Sequence, residues 1–381
     1  MGKTFGIVVL LFLAALGVYF FGPKAKILQN QEKAEISITP VISPEDLEKE
    51  PERVEVFAKN LEVPWSMVFL PDGNLLLTER KGKIKLISKN GDVKEIGEIQ
   101  GVKQISESGL HGITLHPDFQ NNNFIYLYYT YGEDIGQTLN RVVRMEFDGS
   151  KLSSEKIIVD NIPGAPNHDG GRIKFGPDRF LYITTGDAQE PSRSQDKNSL
   201  AGKILRVSGD GSPVSGNPFG NRIYSLGHRN PQGITWDNTG QLWEVEHGPS
   251  GGSLGFGNDE VNKIEPGKNY GWPEIQGNQT KSGMEAPVLN SGSDTWAPAG
   301  VSYLNGSLFF GGLRGQALYK AIISDEGVVT LETYLKNEFG RIRDVIVGPD
   351  NMLYISTSNK DGRGFPKNED DKILRVNPAK L

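Results

Sequence analysis

The sequence predicts an all-β protein built as a six-bladed β-propeller. Three features carry that prediction: dense turn residues, a short motif that recurs six times, and scarce helical periodicity. Gly and Pro number 47 and 22 among 381 residues, about 18% against an average near 12%, and the glycines follow no Gly-X-Y period. Turn residues this dense between short apolar runs mark strands joined by tight turns. Beyond the N-terminus, no stretch of more than about ten residues carries an amphipathic helical period.

The recurring unit is a turn of Pro, Asp, Asn or Gly followed by an apolar strand. Pro71-Asp72-Gly73 precedes Asn74-Leu75-Leu76-Leu77, and Pro117-Asp118-Phe119 precedes Phe124-Ile125-Tyr126-Leu127. Pro177-Asp178 precedes Phe180-Leu181-Tyr182-Ile183, and Asn238-Thr239-Gly240 precedes Gln241-Leu242-Trp243. Asn305-Gly306 and Pro349-Asp350 head the last two copies. From Asp72 to Asp350 is 278 residues over five intervals, about 56 each. A second run trails each copy and alternates basic with aliphatic side chains, as in Lys83-Ile84-Lys85-Leu86-Ile87, Lys203-Ile204-Leu205-Arg206-Val207 and Lys372-Ile373-Leu374-Arg375-Val376. That period of two places one face inward and one toward solvent. Six such units in a ring bury their faces on each other and leave only short edges. A two-domain β-sandwich is the alternative fold, and the sixfold recurrence argues against it. A repeat of about 56 exceeds the 40–50 of interaction-type propellers, so the surplus lies in loops, where function concentrates.

Composition narrows the function. With 41 Lys+Arg against 47 Asp+Glu, the net charge of −6 gives no general attraction for nucleic acid or anionic lipid. The absence of Cys excludes disulfides, thiolate nucleophiles and Cys-ligated metals. Lys3 and the uncharged apolar residues 5–21, followed by Gly22-Pro23-Lys24, form an export-type segment. Its length lies between a signal core and a membrane span, so residues 1–23 read as a signal peptide or a retained membrane anchor. Residues 24–52 read as a linker, and residues 53–381 as the propeller, working outside the cytoplasm.

Five polar clusters next to strand ends exceed what packing requires. They are Glu107-Ser108-Gly109-Leu110-His111-Gly112, Asn167-His168-Asp169-Gly170-Gly171-Arg172, Gly227-His228-Arg229-Asn230-Pro231-Gln232-Gly233, Glu246-His247-Gly248-Pro249 with Asp259-Glu260, and Gly340-Arg341-Ile342-Arg343-Asp344. His111, His116, His228 and His247 each have a structural reading in a turn or between blades. His168, among Asn, Asp and small residues, has the polar setting of a general base. Arg229, Arg314, Arg341 and Arg343 converging on a channel would repel unless a carboxylate or phosphate ligand joined them. Carbonyl and carboxylate oxygens at Gly248-Pro249 and Asp259-Glu260 suit Ca²⁺ better than zinc, although their spacing matches no EF-hand.

These residues resemble the glucose/sorbosone dehydrogenase family, which includes soluble PQQ-dependent glucose dehydrogenases and aldose sugar dehydrogenases. The resemblance spans about residues 54–378 in one motif order: Gly109-Leu110-His111-Gly112 with His116-Pro117-Asp118-Phe119, His168-Asp169-Gly170-Gly171-Arg172 with Thr185-Gly186-Asp187, and Gly227–Gly233. Glu246-His247-Gly248-Pro249, Asp259-Glu260-Val261-Asn262, Asn269-Tyr270-Gly271-Trp272-Pro273 and Arg341-Ile342-Arg343-Asp344-Val345 continue it. The resemblance implies the six-bladed propeller and oxidation of an aldose at C1 to its lactone, with hydride passing to C5 of PQQ. It implies His168 as the base and Arg229 as the residue stabilising charge on the quinone carbonyl. Asn230, Gln232 and Thr295 are implied as further PQQ contacts, and Arg341 and Arg343 as partners of its carboxylates. Arg314 stands where the glucose enzyme has a lysine. The carbonyls of Gly248 and Pro249 are implied to hold the Ca²⁺ that acts on PQQ, and Glu260 with the Tyr270 carbonyl part of a second calcium site.

Glu107 departs from the family's usual Gln and sets a negative charge among the cofactor contacts, to be offset by a neighbouring arginine or to weaken PQQ binding. The chain lacks the long insertions of the glucose enzyme, which implies an open pocket and broad sugar acceptance. Two other functions fit a propeller: a metal-dependent lactonase, and a non-catalytic module binding protein or glycan. The electron acceptor is not identified by any residue.

Overall fold

The computed structural model describes residues 52–132, 138–249, 256–324 and 327–381. The expectations for the N-terminal segment and most of the linker lie outside these residues. Among the described residues no helix is long and apolar enough to cross a membrane, and α-helix is confined to Phe119–Asn122.

The chain forms a six-bladed β-propeller of four-stranded antiparallel sheets. The first strand, β1 (Val54–Ala58), belongs to the last blade. Blade 1 is β2 (Pro64–Phe69), β3 (Leu75–Glu79), β4 (Lys83–Ile87) and β5 (Val93–Glu98). Blade 2 is β6 (Leu110–Leu115), β7 (Phe124–Tyr131), β8 (Leu139–Phe147) and β9 (Leu152–Pro163). Blade 3 is β10 (Ile173–Phe175), β11 (Leu181–Thr185), β12 (Lys203–Val207) and β13 (Ile223–Leu226). Blade 4 is β14 (Pro231–Trp236), β15 (Leu242–Glu246), β16 (Glu260–Ile264) and β17 (Leu289–Asn290). Blade 5 is β18 (Pro298–Leu304), β19 (Ser307–Gly312), β20 (Ala317–Ser324) and β21 (Gly327–Tyr334). Blade 6 is β22 (Ile342–Val347), β23 (Leu353–Thr357) and β24 (Ile373–Val376), completed by β1. β1 pairs antiparallel with β24, Val54 opposite Val376 and Glu55 opposite Arg375. Both ends of the ring therefore meet in one sheet, with β1 as its outer edge strand.

The recurring motif maps onto the second strand of every blade, and the basic-aliphatic run onto the third. The turn has a definite chemistry. In blades 3, 4 and 6 an Asp Oδ1 accepts the backbone N–H two residues on: Asp178 from Phe180 (3.2 Å), Asp237 from Thr239 (2.8 Å) and Asp350 from Met352 (3.2 Å). Its Oδ2 accepts from an aromatic side chain on the second strand, Tyr182, Trp243 or Tyr354 respectively. In blades 3 and 6 the third-strand arginine joins that carboxylate, Arg206 at 2.9 Å and Arg375 at 2.7 Å. One carboxylate thus fixes the turn and the register of three strands.

The core is six apolar clusters, each wedged between adjacent blades. The first strands touch around the axis. There Arg172, buried on both faces, donates to Ser66 Oγ (2.8 Å) and the Gln232 carbonyl (2.9 Å) and pairs with Asp344 (3.1 Å). This network fills the axis below the mouth. On the third strand of blade 3 the expected polar face is interrupted: Lys203 is fully buried and donates to the carbonyls of Arg193, Ser194 and Ala201. Three acceptors offset the loss of water around the ammonium.

Candidate active site

A cavity of about 560 Å³ opens among the loops of several blades, within the range that holds cofactors and small ligands. Seven of the residues singled out in the sequence line it: Glu107, His168, Gln232, Thr295, Arg314, Arg341 and Arg343. Arg229, Asn230, Gly248 and Pro249 are buried and reach it through neighbours, Arg229 Nη1 donating to the carbonyl of the lining residue His247 (3.2 Å). Glu260 and Tyr270 lie elsewhere, in a buried carboxylate cluster of blade 4. Propeller closure explains the convergence: positions from 107 to 343 leave neighbouring strand ends on one face of the ring.

His168 follows β9 on the loop that enters blade 3, with φ of +63°. Left-handed geometry costs a non-glycine residue about 1–2 kcal/mol. It is held there because the His168 carbonyl packs against Gly186, where a Cβ would come within 1.9 Å of that oxygen. Nδ1 contacts Asp187 Oδ1 at 2.8 Å. Asp187 is itself fixed by the Gln189 N–H (2.8 Å) and by Trp272 Nε1 on its other oxygen (2.9 Å). A carboxylate accepting at Nδ1 assigns the proton to that nitrogen and leaves Nε2 with the lone pair. Asp187 entered the sequence argument only as part of a motif; no local pattern marked it as the partner of a histidine 19 residues away.

Arginines dominate the cavity wall. Arg341 Nε donates to Asp361 Oδ2 (2.8 Å), and Arg343 Nη1 to Gln232 Oε1 (2.8 Å). Arg80 also lines the cavity and donates to the Asp361 carbonyl (3.1 Å). Burial lowers the Arg343 guanidinium to about 9. Burial pushes the Asp361 carboxyl up, but the charges of Arg341 and Arg343 outweigh it and leave it below its usual value. Arg80, Asp361 and Arg363 were not identified from sequence, because each stands in a stretch that reads as turn.

Several buried donors have no protein partner: Nε of Arg80, Arg229 and Arg343, and Nδ2 of Asn230. His247 Nε2 is also unpartnered, and burial lowers that imidazole to about 3. Orphaned donors cost about 1–3 kcal/mol each; Arg80, Arg343 and His247 line the cavity, so its wall fits a ligand rich in anionic oxygens. The carboxylates in the cavity, by contrast, are engaged: Asp361 by Arg341, and Glu107 by Arg363 Nη1. For Glu107, burial raises the carboxyl, and the charges of Arg363, His247 and His168 overcome it and bring it down to about 2.

Asp259 was expected to contribute to cation binding. Its oxygens are instead taken by the N–H groups of Gly248 (2.8 Å), Trp296 (2.6 Å) and Ala297 (2.9 Å), so it ties the Gly248 turn to blade 5. Glu260 shares one donor, Asn262 Nδ2, with Glu244 and Glu246 (3.2, 3.0 and 3.5 Å). His228 Nδ1 lies 3.2 Å from Glu246, and its ring stacks on Tyr270. Glu244 Oε1 and Asn262 Oδ1 are buried acceptors without partners. Burial and mutual repulsion push the Glu244 and Glu260 carboxyls up. A hard cation fits this oxygen-rich cluster.

Comparison with known proteins agrees with this geometry. The family model for glucose/sorbosone dehydrogenases matches residues 61–374. The aldose sugar dehydrogenase YliI of Escherichia coli is 31% identical over 364 residues, covering 85% of this chain and 92% of its own. Among solved structures, a putative oxidoreductase (glucose dehydrogenase) from Thermus thermophilus superposes with a TM-score of 0.80 at 44% identity, over 85% of this chain and 99% of that one. The PQQ-bound aldose sugar dehydrogenase of Streptomyces coelicolor gives 0.78 at 40% identity, over 84% and 97%. With the matched model spanning nearly the whole propeller, the chain belongs to the glucose/sorbosone dehydrogenase family.

Proposed function

We propose that the protein is a PQQ- and calcium-dependent aldose dehydrogenase that oxidises the C1 hydroxyl of a sugar to the lactone. The observation that carries this reading is the His168–Asp187 pair facing a wall of arginines with unpartnered donors. Bound PQQ would supply the two-electron acceptor for the hydride from C1. Arg341, Arg343 and Arg314 would hold its carboxylates, with Gln232, Thr295 and Asn230 as neutral contacts. Arg229 would donate toward the quinone oxygen on which charge develops. The Gly248 and Pro249 carbonyls would hold the calcium beside it, and the Glu260–Tyr270 region a second one, with Glu244 and Glu246 within the same cluster.

The protein's own work is proton removal. Nε2 of His168 accepts the anomeric hydroxyl proton, while Asp187 keeps the ring oriented and stabilises the imidazolium that forms. The same pair disfavours a non-catalytic propeller. A lactonase needs uncommitted carboxylates around a central metal, whereas Glu107 and Asp361 are both paired with arginine. Residues 1–23 are proposed to send the enzyme out of the cytoplasm.

The test is dye reduction by purified protein supplied with PQQ and Ca²⁺, across several aldoses. Turnover that disappears in His168→Asn and on chelation of calcium supports the reading. No turnover with any sugar, or undiminished turnover in His168→Asn, overturns it.

A further inference from the structure

Arg363 lies on the loop between β23 and β24, far in sequence from the rest of the site, yet it crosses the cavity mouth. Its Nη1 bonds Glu107 Oε1, and its Nη2 bonds Asn167 Oδ1 at 3.0 Å. Its backbone N–H donates to Asp361 Oδ1 (2.9 Å), whose other oxygen holds Arg341. The loop is thus tied at one end to the arginines of the cavity floor and at the other to the residue beside the base. Glu107 is anchored in turn: its N–H donates to the Pro166 carbonyl (2.9 Å), and its Oε2 accepts from the His168 N–H at 3.5 Å.

We propose that Glu107 and Arg363 form one charge-neutral latch at the sugar end of the site, and that this latch restricts the substrate to uncharged aldoses. The proposal rests on the dehydrogenase reading and adds the substrate class to it. Both residues line the cavity, and both flank the loop that carries His168. Paired, they present a donor edge and an acceptor oxygen that suit hydroxyl groups. A sugar carrying a carboxylate or an ammonium would have to draw one partner away, leaving the other charge uncompensated in a partly desolvated site. The Arg363 side chain is 53% exposed and that of Glu107 18%. Either can therefore be replaced without opening the core.

A neutral Gln at position 107 would need no such partner. Here the added carboxylate comes with its own countercharge, so the two residues act as a unit and the effects of their substitutions should not add.

The test uses the full chain loaded with PQQ and Ca²⁺ and compares kcat/KM for glucose, glucosamine and glucuronate at pH 6.5. Four proteins are assayed: wild type, Arg363→Gln, Glu107→Gln and the double variant. Arg363→Gln leaves the carboxylate alone and is expected to raise the glucosamine-to-glucose ratio by about fivefold, the size of a partly screened charge contact. Glu107→Gln leaves the guanidinium alone and is expected to raise the glucuronate-to-glucose ratio similarly. The double variant has neither a pair to break nor a lone charge to attract the sugar, so both ratios are expected to lie above wild type and below the favoured single variant. If glucose is oxidised but both ratios stay unchanged in the single variants, or all three sugars lose activity in parallel, the latch is overturned and the dehydrogenase reading stands. If wild type oxidises none of the sugars, the dehydrogenase reading fails and the latch falls with it.

Discussion

His168 is held in a left-handed backbone conformation by the close approach of its carbonyl to Gly186, and its ring is aimed by Asp187. The hydrogen bonds of Asp187 to Trp272 and Gln189 make that carboxylate rigid, so its effect on the imidazole is one of tautomer and orientation. Asp187→Asn keeps the shape but offers an amide to Nδ1, which favours the proton on Nε2, where it blocks proton removal. Its kcat is expected to fall by about 10²–10⁴, with PQQ affinity retained in a titration; a kcat near wild type would exclude Asp187 from orienting the base. At this scale the sequence was informative for side chains whose chemistry is unusual in a turn, such as His168 and the Arg341/Arg343 pair. It was silent on Asp187, Arg80, Asp361 and Arg363, because an Asp or Arg in a polar loop looks the same whether it faces solvent or a site. Only the ring closure brings residue 107 beside residue 363.

At the level of the blade, turn carboxylates give blades 3, 4 and 6 a common anchor. Asp350 accepts from the Met352 N–H, from Tyr354 Oη (3.2 Å) and from Arg375. Asp350→Ala removes the acceptor of all three donors while leaving the apolar wedge of blade 6 in place. Chemical denaturation should show a loss of about 1–3 kcal/mol, and a change within about ±0.5 kcal/mol would mean the turn is set by chain geometry alone. The second and third strands were legible because their periodicity reports one sheet face against its neighbour. Among the first and fourth strands, β10 (Ile173–Phe175) and β17 (Leu289–Asn290) were not, since they are too short to show a period. In blade 4 the motif itself was visible, but its active carboxylate is Asp237, one residue before the Asn238-Thr239-Gly240 turn. The same limit applies to Asp259: two acidic residues in a row suggested cation ligands, and only the fold shows that three backbone N–H groups take the first.

For the whole molecule, His111 and His247 each make stability depend on acid. Burial lowers both His111 and His247 to about 3 in the folded protein, against 6.5 unfolded. Between those values the unfolded chain binds a proton on each that the folded chain refuses, so stability is full above pH 6.5 and falls as the pH drops toward 3. Asp169 acts in the opposite sense, since burial raises it to about 7 and its contribution is lost as the pH rises from 3.8 through 7. The carboxyls of Glu244 and Glu260, also pushed up by burial, act in the same sense as Asp169, so the histidine contribution is read from a histidine variant. His111→Gln should flatten the dependence of the melting temperature on pH between about 6.5 and 4, and an unchanged slope would show that His111 charges without unfolding the ring.

The ring also gathers the arginines on which the functional account rests. Equilibrium titration of the full chain with PQQ in the presence of Ca²⁺, followed by the absorbance of the quinone, tests that account most directly. Saturation at one PQQ per chain, weakened at least about tenfold in Arg341→Gln/Arg343→Gln, is the predicted result. Absence of saturable binding, or equal affinity in that double variant, would contradict it.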